Sequence, residues 1–337
     1  MRSVSNPPNP FESKHRDLLE PASAARLEIF EDAAKEILSR NESPDLPFRW
    51  SLNPYRGCFH GCAYCYARPS HEYWGFGAGT DFDSKIIVKR EAASLLRRVF
   101  ERPSWNGELI VFSGNTDCYQ PVEASLELTR ACLDVCAEFR NPIGIITKGI
   151  LVLRDLDLLV RLLREAWVRV YFSIPFADDE VARLLEPHAP TPGRRFEAMA
   201  KLSAAGISTG ISISPIIPGL NDGDIPELLN RAKQAGAVES MATLLRLSGS
   251  VEPVFLERLT QAFPDRVGKI IHRIQEVRRG AMTDGAFFSR HRGTGPYWTM
   301  VEQLYDVARR KAGFEMLDDD TVPRTFRRPG AEQTTLF

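Results

Sequence analysis

The sequence predicts an α/β protein whose core is an α/β barrel or most of one. Two observations support this: short apolar runs recur along the chain, and stretches with a helical spacing of apolar residues separate them. Apolar runs of this kind are typical of strands buried on both faces, as in parallel sheets covered by helices. With one further strand that leads into a cysteine-rich loop, they make about six βα units.

The predicted strands, in chain order, are GELIVF, PIGIIT, VRVYFSI, ISTGISIS and MATLLRL, which begin at residues 107, 142, 168, 207 and 241. The predicted helices occupy residues 86–102, 122–139, 155–165, 194–205 and 224–235. These elements place the barrel in residues 47–250.

Extensions are expected at both ends of this barrel. Residues 1–46 form an N-terminal extension, partly disordered, with an amphipathic helix near AARLEIFEDAAKEILSR. Residues 251–322 form a helical and loop region that covers the barrel. Residues 323–337 form a flexible tail rich in Pro, Gly and charge.

Composition limits the classes of protein to which the chain can belong. Its 337 residues are 43% hydrophobic and carry a formal net charge of -1, so the chain as a whole gives no electrostatic indication of a nucleic-acid partner. No apolar run reaches the roughly 20 residues that cross a bilayer, and residues 1–16 lack the apolar segment of a signal peptide. We therefore expect a cytoplasmic location, where clustered cysteines are metal ligands or catalytic groups rather than disulfide halves.

Three of the six cysteines lie close together in a segment rich in Gly and aromatic residues, NPYRGCFHGCAYCYARPSHEY. They form C-x3-C-x2-C at Cys58, Cys62 and Cys65. A structural zinc ion would need a fourth ligand, for which His60 and His71 are the nearest candidates, but no second ligand pair follows at the usual spacing. An iron–sulfur cluster held by three thiolates instead leaves one iron free for chemistry. Cys132 and Cys136, four apart in a helical pattern, are predicted to lie in the core.

The cysteine spacing, with Tyr64 before the last cysteine, resembles the signature of the radical S-adenosylmethionine (radical SAM) superfamily. The resemblance implies a partial (β/α)6 TIM-like barrel, a 4Fe-4S cluster on the three cysteines, and S-adenosylmethionine bound to the open iron. It implies that the reduced cluster cleaves S-adenosylmethionine to a 5'-deoxyadenosyl radical, which abstracts hydrogen from the substrate. An electron donor such as flavodoxin or ferredoxin would reduce the cluster. Tyr64 would lie near the adenine, a position compatible with simple packing over the cluster.

Polar residues follow several predicted strands, at the end where barrels carry their active sites. They are Ser113 to Asp117, Thr147, Lys148, Ser173, Ser214 to Asp222, and Arg246. This set suits an amino-acid moiety, with Asp117 on the ammonium group and Lys148 or Arg195 on the carboxylate. The alternative is that each is an ordinary turn residue, such as a helix cap for Asp117 or a solvated strand end for Lys148.

A narrower resemblance extends over nearly the whole chain, to the branch of radical enzymes similar to spore photoproduct lyase, also described as DNA repair photolyase-like. The blocks that carry it are SLNPYRGCFHGCAYCYARPSHEY, TDFDSKIIVK, NTDCYQPVEASLELTR, IITKGILVLRD, LEPHAP, RRFEAMAKLSAAGI and SPIIPGLND. Tyr64 and Tyr66 match the tyrosines that flank the third cysteine of the lyase, and are candidate catalytic residues. The residues that match its S-adenosylmethionine contacts are Thr116, Asp117, Lys148 and Ser173.

One departure concerns the cysteine with which the lyase donates hydrogen. At that place this sequence has Ser113, Gly114 and Asn115, and the nearest thiol is Cys118. Cys118 is a candidate hydrogen donor or a small buried residue. The resemblance therefore does not fix the substrate.

The C-terminal third has a basic stretch. Between residues 258 and 295, eight basic residues oppose three acidic ones, with aromatic residues among them, as suits a phosphate-rich partner; a solvated helix face is the alternative. Within FFSRHRGTGPYW, which reads as a loop, Arg290, His291 and Arg292 are expected to reach over the barrel mouth.

The chain ends in QTTLF, which resembles the Q-x-x-L-F peptide that binds the bacterial DNA sliding clamp. Gln333 would supply a hydrogen bond, and Leu336 and Phe337 would anchor the peptide in an apolar groove. The alternative is a tail that folds back on its own domain.

These observations predict a radical SAM enzyme, a lyase in the closest case, that abstracts hydrogen from a nucleic acid during DNA repair or modification. A second hypothesis keeps the chemistry and changes the substrate to RNA, a peptide or a small metabolite. A third is a non-catalytic, zinc-binding adaptor that recruits partners to the clamp.

Overall fold

A seven-stranded sheet forms the centre of the computed structural model, which describes residues 6–12, 26–314 and 322–329. The strands of the whole structure are β1 Glu28–Glu31, β2 Leu38–Arg40, β3 Trp50–Leu52, β4 Tyr55–Arg56, β5 Lys85–Val88, β6 Ile110–Phe112, β7 Ile143–Thr147, β8 Val168–Ser173, β9 Ser208–Ile216 and β10 Glu239–Leu244. The central sheet has the order β10-β9-β8-β7-β6-β3-β2, and every neighbouring pair except β2 with β3 is parallel.

Helices follow most of these strands. They are α1 Thr80–Ser84, α2 Ala92–Glu101, α3 Glu123–Leu126, α4 Leu128–Glu138, α5 Leu156–Leu163, α6 Asp179–Leu185, α7 Pro192–Ala204, α8 Ile225–Gln234, α9 Val251–Ala262, α10 Val267–Val277 and α11 Gly295–Lys311. Six parallel strands with helices between them make the partial (β/α)6 barrel, so the predicted fold class is confirmed.

Local sequence explains these elements. The residues of β7, IGIIT, are almost all buried, as expected for a strand covered on both faces. Helix α8 buries Ile225, Leu228, Leu229 and Ala232, a spacing that puts one apolar stripe on the sheet. All five predicted strands lie in the parallel sheet together with β3, which precedes β4 and the cysteine loop, whereas β4 pairs with β5 in a separate three-stranded sheet.

The predicted N-terminal amphipathic helix is wrong. Its segment forms β1 and β2 instead, and β1 pairs in parallel with β5 from Glu28↔Lys85 to Glu31↔Val88. Residues 86–88, expected to begin a helix, belong to the strand β5, and the following helix starts at Ala92. Edges of existing strands offered hydrogen-bond partners to both segments, and such tertiary pairing overrides local propensity.

Residues 322–329, which include the start of the segment 323–337 expected to form a flexible tail, have hydrogen-bond partners on the body of the fold. Here Arg327 N donates to Phe139 O at 2.9 Å, and Arg328 Nη2 donates to Trp105 O at 2.9 Å. Phe326 packs edge-on against Phe100 at 5.6 Å between ring centroids. These residues lie against α2 and the end of α4, whereas QTTLF, with Gln333, Leu336 and Phe337, lies outside the described residues.

Helices α9, α10 and α11 complete the fold beyond the barrel. Helix α9 packs on α6, and α11 packs on α8 and α10. Among the described residues, no helix has the length and apolar character that would let it cross a membrane.

Candidate functional site

A cavity of about 330 Å³ opens at the carboxyl ends of the parallel strands. Its walls include the cysteine loop, the segments that follow β6, β7, β8, β9 and β10, and parts of both extensions. The predicted site residues that line it are Cys58, Cys62, Tyr64, Cys65, Tyr66, Thr116, Asp117, Lys148 and Ser173. Residues from four separate blocks of sequence thus meet at the place where barrel enzymes carry their sites.

The cysteine loop follows β4, and two of its bends need glycine. Gly57 and Gly61 have φ values of 74° and 66°. A Cβ on Gly57 would lie 2.8 Å from the carbonyl oxygen of Lys85, so no other residue fits without a shift. The loop is also fixed by its backbone, since Cys58 N donates to Phe82 O and Ala63 N donates to Leu185 O.

A buried arginine holds this loop, and the sequence analysis missed it. Arg68 donates from Nη2 and Nε to the carbonyl oxygen of Cys62, at 2.7 and 3.0 Å, and from Nη1 to Ala78 O at 2.8 Å. It also pairs with Asp83 at 3.0 Å. Burial raises the pKa of Asp83 to about 6 against the opposing charge of Arg68. Nothing in the local sequence distinguishes Arg68 from a surface arginine.

The three thiols of the motif are strongly desolvated. Burial raises the pKa of Cys58 and Cys65, and it raises that of Cys62 to about 12. Without a bound cation these side chains are therefore protonated thiols at neutral pH. Iron binds cysteine as the thiolate, and the positive charge of the iron would stabilise these thiolates in their desolvated positions.

Tyr64 is tied to an acidic residue far along the chain. Its hydroxyl donates to Glu186, a fully buried carboxylate that also pairs with Arg195. Sequence reasoning missed Glu186, although it lies in the block LEPHAP. The glutamate thereby fixes the tilt of the ring next to the third cysteine.

Arg195 does not lie where the sequence analysis expected. It is fully buried, does not line the cavity, and donates to Ser173 O at 2.8 Å and Pro190 O at 2.7 Å in addition to Glu186. The expectation that it binds a carboxylate of the cofactor is not supported, because its guanidinium is already occupied within the protein.

Lys148, by contrast, reaches the cavity. Its Nζ donates to Ser173 Oγ at 2.9 Å and lies 5.6 Å from the centre of the Tyr64 ring. Burial would lower the pKa of Lys148, but the acidic groups beside it, the Cys62 thiol and the Glu186 carboxyl, raise it above its usual value. The ammonium group therefore stays charged beside the cysteine loop, where it suits a carboxylate.

Asp117 organises the strand ends. Its carboxylate accepts hydrogen bonds from Thr147 Oγ1 at 2.6 Å, Lys148 N at 2.7 Å and Tyr119 N at 2.9 Å, and it lies 3.4 Å from His60 Nδ1. Burial would raise the pKa of Asp117, but His60 and these donors hold it well below its usual range. Because most of its acceptor capacity is used inside the protein, Asp117 is better placed to position neighbours than to bind an ammonium group.

Two further predicted residues, Thr116 in the cavity wall and Cys118 behind it, are buried. Thr116 is buried and donates from Oγ1 to Tyr55 O at 2.7 Å. Cys118 is fully buried in the hydrophobic core and does not line the cavity, and burial raises the pKa of its thiol. The structure therefore places Cys118 as a core residue rather than beside a substrate.

The mouth of the cavity is formed partly by residues 286–292, as the sequence analysis expected. Arg290 and His291 line it together with Arg246 and Tyr66, whereas Arg292 does not. Arg290 donates from Nε to Asp45 Oδ2 at 2.8 Å and from Nη2 to Asp45 Oδ1 at 2.5 Å. Residue Asp45, from the N-terminal extension, thus pins this loop over the cavity.

Another arginine fixes the same loop from below. Arg278 is buried and donates to the carbonyl oxygens of Leu245 at 2.8 Å, Arg290 at 2.7 Å and Arg292 at 2.9 Å. Arg246, in contrast, has no carboxylate within 4.0 Å among the residues that the structure describes, and its Nε donates to Ser248 Oγ at 2.9 Å. One guanidinium at the mouth is thus free to meet an anion.

Comparison with known proteins identifies the family. A model of the radical SAM superfamily matches residues 52–232, which include the three cysteines and the strand ends through Ser214. The chain belongs to the radical SAM superfamily. An uncharacterized protein of Mycobacterium tuberculosis is 38% identical over 238 residues, which are 70% of this chain and 69% of that protein. A radical SAM Nalpha-GlyT isomerase of Pseudomonas phage M6 is 26% identical over 256 residues, which are 75% of this chain and 49% of the isomerase.

Solved structures of spore photoproduct lyase share this radical SAM fold. One variant aligns with a TM-score of 0.60 and 13% identity, over 85% of this chain and 79% of the lyase chain. Another, with bound AdoMet and dinucleoside spore photoproduct, aligns with a TM-score of 0.52 and 15% identity, over 71% of this chain and 66% of that chain. At these identities the likeness concerns the fold, and it agrees with the branch to which the sequence blocks pointed.

Radical SAM enzymes use a 4Fe-4S cluster and S-adenosylmethionine, so the predicted cofactors are confirmed for this family. The cavity fits the cluster, since three thiols on one glycine-shaped loop line it, those of Cys58 and Cys62 buried and that of Cys65 half-buried. Among the described residues, no group of three or more His, Cys, Asp or Glu side chains is arranged around a single metal ion. In a four-iron cluster each thiolate binds its own iron. When bound, the cluster and S-adenosylmethionine supply a carbon radical, and Cys58, Cys62 and Cys65 are the residues that would hold the cluster.

Proposed function

We propose that this radical SAM protein abstracts hydrogen from a nucleic-acid substrate, with DNA repair or modification as its role. The observation that carries the proposal is the composition of the loop that contributes Arg290 and His291 to the cavity wall. Two aromatic side chains, Phe287 and Phe288, are 52% and 66% exposed on the loop that also presents Arg290 to the cavity. Exposed aromatic rings beside arginines are typical of surfaces on which bases stack and phosphates bind.

The geometry of the loop adds to this support. Arg290 lies over the Phe287 ring, with 4.9 Å between its guanidinium carbon and the ring centre, and Phe288 N donates to Asp45 Oδ2 at 3.1 Å. These contacts with Arg290 and Asp45 fix the positions of Phe287 and Phe288 on the loop. Arg246 lies across the mouth, where a phosphate would find a guanidinium without a carboxylate partner among the described residues.

The comparisons point in the same direction. A lyase of the same fold was solved with a dinucleoside spore photoproduct, and the phage relative is a Nalpha-GlyT isomerase. This chain has Ser113, Gly114 and Asn115 where the lyase resemblance places a hydrogen-donor cysteine. We therefore propose the radical chemistry on a nucleic acid without assigning the lyase reaction itself.

The test is an anaerobic reconstitution with iron and sulfide, followed by reduction and chromatography for 5'-deoxyadenosine. Single-stranded DNA, duplex DNA, ultraviolet-irradiated DNA, RNA and a mixed peptide pool are added in turn. We expect DNA to stimulate 5'-deoxyadenosine formation and to be altered in mass. A Phe287→Ala/Phe288→Ala variant should lose this stimulation while keeping the slow cleavage seen without substrate, and Phe11→Ala, also an exposed phenylalanine, should behave like the wild type.

Three results would contradict the proposal in different ways. If only peptides or only RNA stimulate 5'-deoxyadenosine formation, the protein is a radical SAM enzyme whose substrate is not DNA. Equal stimulation of the wild type and the double variant would remove the role of the aromatic pair. Zinc in place of iron, with no S-adenosylmethionine cleavage, would favour the adaptor hypothesis.

We also propose that QTTLF binds the DNA sliding clamp, which would bring the enzyme to DNA. This proposal rests on the sequence pattern alone, with Gln333 as the polar end and Leu336 and Phe337 as apolar anchors. The full-length protein and a Leu336→Ala/Phe337→Ala variant should be compared for binding to immobilised clamp. Equal binding, or no binding by either protein, would contradict it. A flavodoxin or ferredoxin as electron donor, and a cytoplasmic location, stay predictions.

A further inference from the structure

A second cavity, of about 580 Å³, lies at the end of the sheet opposite to the cysteine cavity. Trp50, the first residue of β3, lines it, whereas the cysteine loop comes after the end of that strand. Its other walls come from β2, α2, the turn after α2 and the docked C-terminal segment. The volume falls in the range of sites for small organic ligands.

Positive charge dominates this cavity. The basic residues that line it are Lys35, Arg49, Arg98, Arg102 and Arg324. Of the two acidic residues, Glu108 is occupied, because it accepts from Arg49 Nη1 at 3.1 Å and from Trp50 Nε1 at 2.8 Å. The four other cations make no ion pair within the described part of the chain, and only Glu36 opposes them.

These four cations are exposed to solvent, which screens their mutual repulsion, and a bound anion would reduce the repulsion that remains. Like charges that converge on one cavity repel one another, and the walls of a concave site strengthen their field. The cations come from three separate segments, at residue 35, at residues 98 and 102 on α2 and its C-terminal cap, and at residue 324, so one helix face does not account for all of them. Tertiary folding brings them together.

The cavity is rigid where the cations are attached. Arg328 Nη2 donates to Arg102 O at 2.6 Å and to Trp105 O at 2.9 Å, which fixes the turn after α2. Trp105 Nε1 donates to Asn141 Oδ1 at 3.0 Å, and its ring meets Trp50 edge-on at 5.6 Å. Trp105 is buried and stacked on Phe100, so it supports the half-buried Trp50, whose indole is the aromatic surface beneath the charged rim.

We propose that this cavity is a second binding site, which takes a phosphorylated ligand of the nucleotide type. Guanidinium groups bind phosphate oxygens in a bidentate manner, and an indole surface accepts a base by stacking. Ser104 and Asn106 at the rim add hydrogen-bonding groups for a sugar or base. A free nucleotide and a strand of nucleic acid share this chemistry. The site is separate from the radical site and stands whatever substrate that site takes.

Calorimetric titration of the full-length protein with ADP tests whether the site binds a free nucleotide. Titration with a fluorescent single-stranded dodecathymidylate tests whether it binds a strand of nucleic acid. The site variant is Arg98→Glu/Arg324→Glu. Its control, Arg183→Glu/Lys201→Glu, makes the same change of net charge at exposed positions on α6 and α7. We expect the site variant to weaken ADP binding by about tenfold or more, and the control to change it by less than about twofold.

The outcomes separate clearly. Absence of ADP binding to the wild type at millimolar concentration, or equal weakening in both variants, would overturn the proposal. The ligand is a nucleic-acid strand if the site variant binds both ADP and the oligonucleotide more weakly than the wild type does. In that case the slope of log K against log salt concentration for the oligonucleotide should also decrease in magnitude by about 2. If ADP alone responds, the ligand is a free nucleotide. Circular dichroism of both variants confirms that each is folded.

Discussion

A single buried carboxylate, Glu186, connects the parts of the radical site. It accepts from Tyr64 on the cysteine loop, pairs with Arg195 beneath Ser173, and lies 3.7 Å from Lys148 Nζ. Burial would raise the pKa of Glu186, but the charges of Arg195 and Lys148 lower it. The residue is therefore an anion that positions two cations and a tyrosine.

Glu186→Gln should destabilise the protein, because it leaves the Arg195 guanidinium buried without a counter-charge. Breaking a buried ion pair costs about 3 to 5 kcal/mol of unfolding free energy. Urea denaturation of the cluster-free protein measures this cost. The exposed Glu197→Gln on the neighbouring helix should change the free energy by less than about 0.5 kcal/mol. Similar stability of both variants would show that Arg195 finds another partner.

Cys118 offers a second test at the residue scale. Because it is buried in the core, Cys118→Ala should leave substrate-stimulated 5'-deoxyadenosine formation within about twofold of the wild type and cost about 1 kcal/mol of stability. The rate of 5'-deoxyadenosine formation is measured together with the mass of the substrate-derived product. Loss of the normal product, with cleavage of S-adenosylmethionine retained, would contradict this and restore the hydrogen-donor role.

His71 makes the stability depend on pH. It packs between Phe76 and Phe82, and burial lowers the pKa of its imidazole to about 4. The unfolded chain, with an ordinary pKa of about 6.5, therefore takes up a proton that the folded protein excludes as the pH falls. Stability from this residue is complete above about pH 6.5 and decreases by about 2 kcal/mol between pH 7 and pH 5. Urea unfolding at both values should show a smaller decrease in His71→Leu, and equal decreases would refute the assignment.

At the scale of elements, the loop at residues 286–292 is held by side chains rather than by regular structure. Arg278 donates to carbonyl oxygens on the loop and at Leu245, and Asp45 binds Arg290 and Phe288 N. If the backbone oxygens of the loop lose a charged hydrogen-bond donor, the loop needs less free energy to unfold locally. The loop is thus the element whose position a single substitution can change.

Arg278→Gln should loosen this loop. We expect amide hydrogen exchange at residues 286–292 to increase by about tenfold, which corresponds to a loss of about 1.4 kcal/mol of local stability. Arg279→Gln, the adjacent and exposed arginine, is the matched control and should exchange like the wild type. Unchanged exchange in Arg278→Gln would show that Asp45 alone fixes the loop.

At the scale of the whole molecule, the cysteine loop is part of a core that reaches well beyond the barrel. Cys62, Ala63 and Tyr64 pack in one hydrophobic cluster with residues of α6, α9 and α10. Cluster binding to these cysteines should therefore stabilise the C-terminal helices as well as the loop. Reconstituted protein should melt at least about 5 °C above the chelator-treated protein, and Cys62→Ser should abolish the difference. Equal melting temperatures for loaded and chelated wild-type protein would show that the loop is fully ordered without metal.

Sequence reasoning predicted the parallel strands and the cysteine site because both are local patterns. The strands are short apolar runs, and the motif lies within eight residues. It failed for β1 and β2, since an apolar segment that also fits a helical period became strand once the edges of β5 and β3 offered partners. Residues 322–329 likewise form no element of their own, and their hydrogen bonds go to α2 and to the residues after α4.

The sequence by itself determined the family and the barrel, and it predicted which cysteines would hold the cluster, because spacing along the chain is enough to specify these features. Only the tertiary structure decided which charged side chains support the site. Tyr64 and Glu186 are separated by 122 residues, and Arg290 and Asp45 by 245. Folding brought these charges into one low-dielectric environment, where each needed a partner, and no local pattern records which partner it found.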